Sequence, residues 1–278
     1  MDADSIVQPA EPRETVQVYF ADGRIYEAPV GTTLETYIKV IDFDLPAPIV
    51  AANINGQLRE LTYHIVTDSD VTPITIADSD GMRIYRRSLA FLMITVAQEL
   101  YPGVQVIIDY ALNFGGFYCE VRGRAPLTRK ELTRIENRMR ELVDAHVPIK
   151  KKRVPLEEAL SYFEAKGQVD KTKLLKTRKK DYLTLYTLKE AKDYFHGYMV
   201  PSTGYLQKFA LRPYGPGFVL QYPRRELPTV IQDPVDYPKL VAVFDEQGEW
   251  LEVMGIPDVG TLNEANEAGR MREAILVS

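Results

Sequence analysis

Residues 16–40 read VQVYFADGRIYEAPVGTTLETYIKV. Two runs rich in valine, isoleucine and aromatic residues, 16–20 and 24–29, flank Asp22-Gly23, a pair suited to a tight two-residue turn. They predict a β-hairpin. Behind it the period changes: Leu34, Tyr37, Ile38 and Ile41 recur at three- and four-residue spacing after a threonine-rich start, which predicts an amphipathic helix. PIVAANI (48–54), the turn pair Asn55-Gly56 and QLREL (57–61) add short strands. Hairpin, helix and further strands over residues 14–80 follow the order of a small β-grasp, ubiquitin-like domain. Asp78-Ser79-Asp80-Gly81 marks its boundary by turn chemistry.

Beyond that boundary, YRRSLAFLM (85–93) predicts the opening of a helix. Arg86 and Arg87 are then misplaced, because the macrodipole at a helix N-terminus favours anions over cations. Leu89, Leu92, Met93, Val96, Ala97 and Leu100 form its apolar stripe, and Pro102-Gly103 ends it. VQVIIDYAL (104–112) and GGFYCEVRG (115–123) read as paired strands. Thr128 and Glu131 make a capping box for a helix that buries Leu132, Ile135, Met139, Leu142 and Val143. Pro155 and Gly167 bracket another helix, LEEALSYFEAK. DYLTLYTL, LQKFALRP and GFVLQYP alternate with period two and read as strands of one antiparallel sheet. KLVAVFDEQGEWLEV predicts a hairpin across Gln247-Gly248, and Thr261 with Glu264 predicts a capping box opening a last helix, TLNEANEAGRMREAILV. That helix is still periodic at the final residue, so it is expected to lead into a further domain. The expected division is a disordered leader 1–13, the β-grasp domain 14–80, a larger α+β domain 81–225, a hairpin extension 226–260 and the start of a linker helix 261–278.

Composition narrows the chemistry. The chain has 278 residues, 45% of them hydrophobic, with no apolar run near the ~20 residues of a membrane span. A single cysteine, Cys119, excludes an intrachain disulfide framework and a cysteine-rich zinc site, and makes the cytoplasm the expected compartment. The net charge of −5 leaves any nucleic-acid contact to a local patch. No GxxxxGK[ST] motif occurs, so no phosphate-cradling loop is present. His64, His146 and His196 share no metal-binding spacing, and no metal site is expected. Ser202, His196 and Asp193 are too close in sequence to argue for a triad.

Two basic runs remain: Lys150-Lys151-Lys152-Arg153, and KTKLLKTRKK from Lys171 to Lys180, which contains Lys173, Lys176, Arg178, Lys179 and Lys180. They read either as a solvated face with snorkelling stems or as a phosphate contact for RNA or a nucleotide. Two glycine- and aromatic-rich loops, FGGFYCE and YFHGYMVPSTGY, read either as packed sheet edges or as the walls of a ligand pocket.

Together these stretches resemble the N-terminal half of threonyl-tRNA synthetase. The order DG, GTTL, AANINGQLREL is similar to its TGS domain. RRSLAFLM, GGFYCEV, LTRKELTRIENRMREL, FEAKGQVDKTKLL and DYFHGYMVPSTGY are similar to its second additional domain, which carries the editing site. In that resemblance a helix starts with two histidines four residues apart, and a later loop supplies a cysteine and a histidine four apart. Here those positions hold Arg87 and Phe91, then Phe195 and Met199. The tyrosine pair of the motif is Tyr118 followed by Cys119, while Lys171 and Asp193 fall on positions that are also Lys and Asp in the synthetases. The resemblance therefore implies a degenerate editing pocket built from these residues with His196, without metal-assisted hydrolysis. Arg87 is expected to pair with a carboxylate such as Asp193, to hold a phosphate or carboxylate ligand, or otherwise to be solvated.

The same pairing of domains, with these replacements, also resembles the N-terminal part of uridine (nucleoside) kinase-like proteins. That likeness implies an accessory region binding a nucleotide, nucleoside or RNA, with ATP and Mg²⁺ bound by a separate P-loop domain. A freestanding aminoacyl-tRNA editing hydrolase is the alternative. No membrane partner is implied.

Overall fold

A computed structural model describes residues 11–233, 235, 238–256 and 258–270. The hairpin forms as read: β1 (Thr15–Phe20) pairs antiparallel with β2 (Ile25–Pro29). Helix α1 (Leu34–Val40) buries Leu34 and Tyr37. Strands β3 (Ile49–Ile54) and β4 (Gln57–Glu60) meet at Asn55-Gly56, where both residues take positive φ, as this turn type demands. β5 (Ser69–Thr75) then runs parallel to β1 and antiparallel to β3. The resulting sheet order, β2-β1-β5-β3-β4, is the mixed sheet of a β-grasp. Val16, Val18, Phe20, Leu34, Ile54, Leu61 and Val71 meet in its core. The strands alternate in burial, so each side of the pleat has one environment.

Helix α2 spans Ser79–Leu100. The residues read as an interdomain turn are in fact its first turn, preceded by Asp78, whose carboxylate accepts from the Thr75 amide and hydroxyl. Arg86 and Arg87 consequently lie two turns inside the helix, and the dipole conflict disappears. α2 is buried nearly all round from Gly81 to Ala97, so it is a core helix and not a surface one.

β6 (Gln105–Leu112) and β7 (Gly116–Arg122) pair as expected. Helix α3 (Arg129–Asp144) has the capping box of Thr128 and Glu131 and buries the five apolar residues read from its period. Burial of each such side chain contributes roughly 1.5–3 kcal/mol. The expected single antiparallel sheet is instead two. β11 (Ala210–Tyr214) and β12 (Gly217–Gln221) join β7 and β6 in the order β11-β12-β7-β6. β9 (Tyr182–Leu188) lies between β10 (Ala191–Tyr194) and β8 (Lys150–Pro155) in a separate three-stranded sheet. Periodicity identifies strands but not their partners, which long-range packing selects.

Contacts group the chain into two units. One runs to Ile149 and resumes from His196 to Gln232; the other takes Lys150–Phe195 and the chain from Asp233 onward. The β-grasp and α2 fall in the same unit, and the segment 150–195 is grouped apart from the rest of the expected 81–225 domain. In the second unit α4 (Leu156–Ala165) and α5 (Val169–Lys176) pack on the three-stranded sheet around Phe163, Leu175, Leu183 and Leu185.

The expected hairpin at 239–253 is helix α6 (Pro238–Val253). Gly248 sits inside it without positive φ, tolerated at a cost of about 1 kcal/mol against alanine. The last helix, α7 (Val259–Glu267), is capped by Asp258 with Thr261, one turn earlier than the Thr261–Glu264 box that was expected. Glu264 pairs with Lys173 instead. The leader up to residue 10, and 271–278 of the expected linker helix, lie outside the described residues. Among the described residues, no helix is long and apolar enough to cross a membrane.

Candidate functional site

The residues expected to line one pocket fall into both contact units, and each set has its own local structure. In the first unit, α2 carries Arg87 and Phe91 on one face. The loop 196–206 is fastened to this helix. Ser88 Oγ accepts from the Val200 amide at 3.0 Å and donates to the Ile84 carbonyl at 2.8 Å. Arg87 Nη1 donates to the Tyr198 carbonyl at 2.7 Å. Its guanidinium lies flat against Gly197, where φ is +111° and an added Cβ would sit 2.9 Å from Cζ. The backbone conformation favours glycine there, and a side chain would displace the guanidinium from its seat.

Phe91 and Met199, both expected in the pocket, are only 1% and 2% exposed. They are core side chains. Ser88 also reaches the Met199 sulfur at 3.3 Å. Tyr118 is fully buried, stacked on Tyr110 at 4.9 Å, with its hydroxyl donating to Glu120 at 3.1 Å. Burial pushes the Cys119 thiol up to about 12, so no thiolate nucleophile forms at neutral pH. His196 is exposed at the head of the loop.

In the second unit Lys171 Nζ lies 2.7 Å from both oxygens of Asp193. The carboxylate also accepts from the Tyr194 amide at 2.8 Å. The ammonium sits over the Phe163 ring at 5.4 Å. Asp193, the carboxylate expected beside Arg87, is thus engaged by Lys171. Burial raises the Asp193 carboxyl above its ordinary value, with Lys171 and the Tyr194 amide opposing the shift. Phe195 stands edge-on to Tyr186 at 6.5 Å. Among the described residues no group of three or more His, Cys, Asp or Glu side chains is placed to hold a metal ion.

The first basic run was not read as a strand, yet Lys150–Pro155 forms β8, the edge of the three-stranded sheet, and Lys150, Lys151, Lys152 and Arg153 are all exposed. Lysine has little β-propensity, so the strand is dictated by pairing with β9. Cations on a sheet edge also guard it against pairing with other chains. Arg153 stacks at 3.3 Å over Tyr182, and Lys180 approaches the same ring at 5.8 Å. In the second run Lys173 is committed to Glu264 at 3.0 Å, and Arg178 donates to the Tyr182 carbonyl. Lys176, Lys179 and Lys180 are exposed.

Sequence reading passed over a third feature. Lys130, Arg134 and Arg138 recur every four residues along α3 and line a cleft of about 370 Å³ with Leu100, Thr133, Asn137 and Glu141. The four-residue spacing is present in the sequence, but nothing in the apolar period of α3 signals that its polar face is concave.

No family model matches the chain. It is similar to threonine–tRNA ligases: 32% identical over 197 residues to that of Janthinobacterium sp. (strain Marseille), 31% over 195 residues to that of Methylococcus capsulatus (strain ATCC 33009 / NCIMB 11132 / Bath), and 30% over 196 residues to that of Francisella tularensis subsp. novicida (strain U112). Each match covers 70% of this chain and 30–31% of the relative. The chain therefore spans about a third of the length of the curated relatives it matches.

Proposed function

We propose that this chain is a tRNA-binding region related to part of the threonine–tRNA ligases, and that it binds without hydrolysing. The observation that carries the reading is charge segregation. Residues 150–195 contain thirteen basic and seven acidic side chains, a net +6, in a chain whose total is −5. The four cations of β8 lie exposed in a row on that segment, with a guanidinium stacked on a tyrosine. Cations in sequence supply the phosphate contacts on which RNA affinity rests, and aromatics beside them suit unpaired bases.

Hydrolysis is disfavoured by the chemistry at the former editing positions. Two are buried apolar side chains, and Arg87 is a cation that can neither ligate a metal nor act as a base. The pairing of Lys171 with Asp193 at 2.7 Å is what favours the second reading, an aminoacyl-tRNA editing hydrolase. The relatives named are tRNA ligases, which favours a tRNA partner over an accessory role beside an ATP- and Mg²⁺-dependent nucleoside kinase.

Fluorescence anisotropy with unfractionated tRNA tests the proposal. Binding should weaken steeply between about 50 and 200 mM salt, and replacing Lys150, Lys152 and Arg153 together by alanine should lower both the affinity and the salt slope. Absence of tRNA binding at low salt refutes it. Deacylation of mischarged tRNA above the uncatalysed rate would transfer the assignment to the hydrolase.

A further inference from the structure

The cleft on α3 has an arrangement that neither the tRNA ligase likeness nor the basic strand explains. Lys130, Arg134 and Arg138 are stacked at four-residue spacing on one helix face, each about 6 Å along the axis from the next. Like charges at this spacing repel and destabilise a helix by a few tenths of a kcal/mol per pair. On the same helix Arg140 bonds Glu136 at 2.6 Å, and Arg138 itself is held by Glu141 at 2.6 Å and Glu99 at 2.9 Å, while the Arg129 side chain at the exposed start of the helix has no described partner. Lys130 has no ion pair or hydrogen bond among the described residues, and the Asn137 amide likewise has no described partner. Arg134's described partner is a ring: Tyr101, 5.8 Å from its guanidinium and 5.5 Å from that of Arg124. Two uncompensated cations and a free amide therefore face one concave surface floored by Leu100, with Glu141 at its far end already neutralised.

A solvated helix face would also expose lysine and arginine. It would not be expected to set two uncompensated cations one turn apart in a concavity, at mutual repulsion, beside an unpartnered amide. Anions seated at Lys130 and at Arg134 relieve that repulsion, and the guanidinium offers two parallel donors to a phosphate. We propose that this cleft binds two backbone phosphates of RNA, one at Lys130 and one at Arg134, with the Asn137 amide donating to an adjoining phosphate or ribose oxygen. The inference rests on the tRNA reading and adds to it a contact surface on α3, in the unit that does not contain β8.

The test measures the salt dependence of tRNA binding by anisotropy for the intact chain and the Lys130→Ala/Arg134→Ala variant. Two lost phosphate contacts lower the slope of log affinity against log salt by roughly 1.4–1.8. A second variant, Lys130→Arg/Arg134→Lys, keeps both charges and is expected to keep the slope. Circular dichroism confirms that each variant is folded. An unchanged slope in the alanine variant, with tRNA still bound, overturns the cleft while leaving the tRNA reading intact. An equal loss of slope in the charge-preserving variant attributes the effect to packing and also overturns it. No tRNA binding by the parent chain overturns both.

Discussion

Replacing Lys171 by alanine tests whether the joined Lys171–Asp193 pair is a buried interaction or a surface one. The two possibilities differ in magnitude. An exposed pair contributes at most about 1 kcal/mol, whereas removing one partner of a buried pair costs about 3–5 kcal/mol because a charge is left uncompensated. The Asp193 side chain is 11% exposed and that of Lys171 24%, which places the pair near the lower edge of the buried class. The Tyr194 amide still solvates the carboxylate in the variant. A loss of about 3 kcal/mol at pH 7.5 is expected, or roughly 1.5 M in the urea midpoint for a slope near 2 kcal/mol/M. Trp250, the sole tryptophan, lies in α6 of the same unit and reports the transition by fluorescence.

The pH dependence sharpens the test. Asp193 holds its proton more tightly in the folded chain than in the unfolded one, since burial raises its carboxyl. The stability this group contributes is therefore complete below the unfolded carboxylate value, about 3.9, and is lost as pH rises through the folded value. Removing Lys171 takes away the charge that opposes the shift, so the folded value climbs further. The destabilisation should be largest at neutral pH and shrink by at least about 1 kcal/mol on acidification towards pH 4. Adding Asp193→Asn to the variant should recover part of the loss by removing the stranded charge. A cost below about 1 kcal/mol that does not change with pH would refute this reasoning and make the pair a surface contact.

Other expectations follow from packing. In Gly204→Ala the new Cβ would lie 1.9 Å from His146 Nδ1, and His146 is itself held at a φ of +48° just beyond α3. The melting temperature should fall by about 4–8 °C, corresponding to roughly 2 kcal/mol, and an unchanged melt would mean that the imidazole swings clear. The Cys119 thiol, fully buried with its value raised to about 12, should resist an aromatic disulfide reagent in the native chain and react stoichiometrically once the chain is unfolded in urea. Rapid reaction of the native chain with that reagent would show that β7 opens locally.

Much of the local architecture was legible. The β-grasp hairpin and its helix, the α3 capping box with its five buried residues, and the helix at Leu156–Ala165 all follow from turn residues, caps and apolar period acting within a few residues of one another. The misreadings share a cause. Asp78–Gly81 can serve a turn or a helix start, and Gln247-Gly248 a hairpin tip or a helix interior; in each case the flanking chain decided. The lysines of β8 carry no strand signal of their own and became a strand because β9 was available to pair with them. At the candidate site the residue types were legible, but not their burial: Phe91, Met199 and Tyr118 could equally have lined a cavity.

Turn residues, caps and apolar period account for most of the element types and their order, and the uneven distribution of charge and the absence of histidine and cysteine at positions 87, 91, 195 and 199 are plain in the chain itself. These are properties of composition and short-range geometry, to which distant residues contribute little. Long-range packing selects which strands share a sheet, sends an Arg87 donor to the Tyr198 carbonyl, closes Lys171 on Asp193, and leaves two cations on α3 facing a cleft uncompensated. Each of those depends on which surfaces exclude water when the chain closes on itself. Burial then converts an ordinary lysine–aspartate contact into one that removal of either partner makes costly.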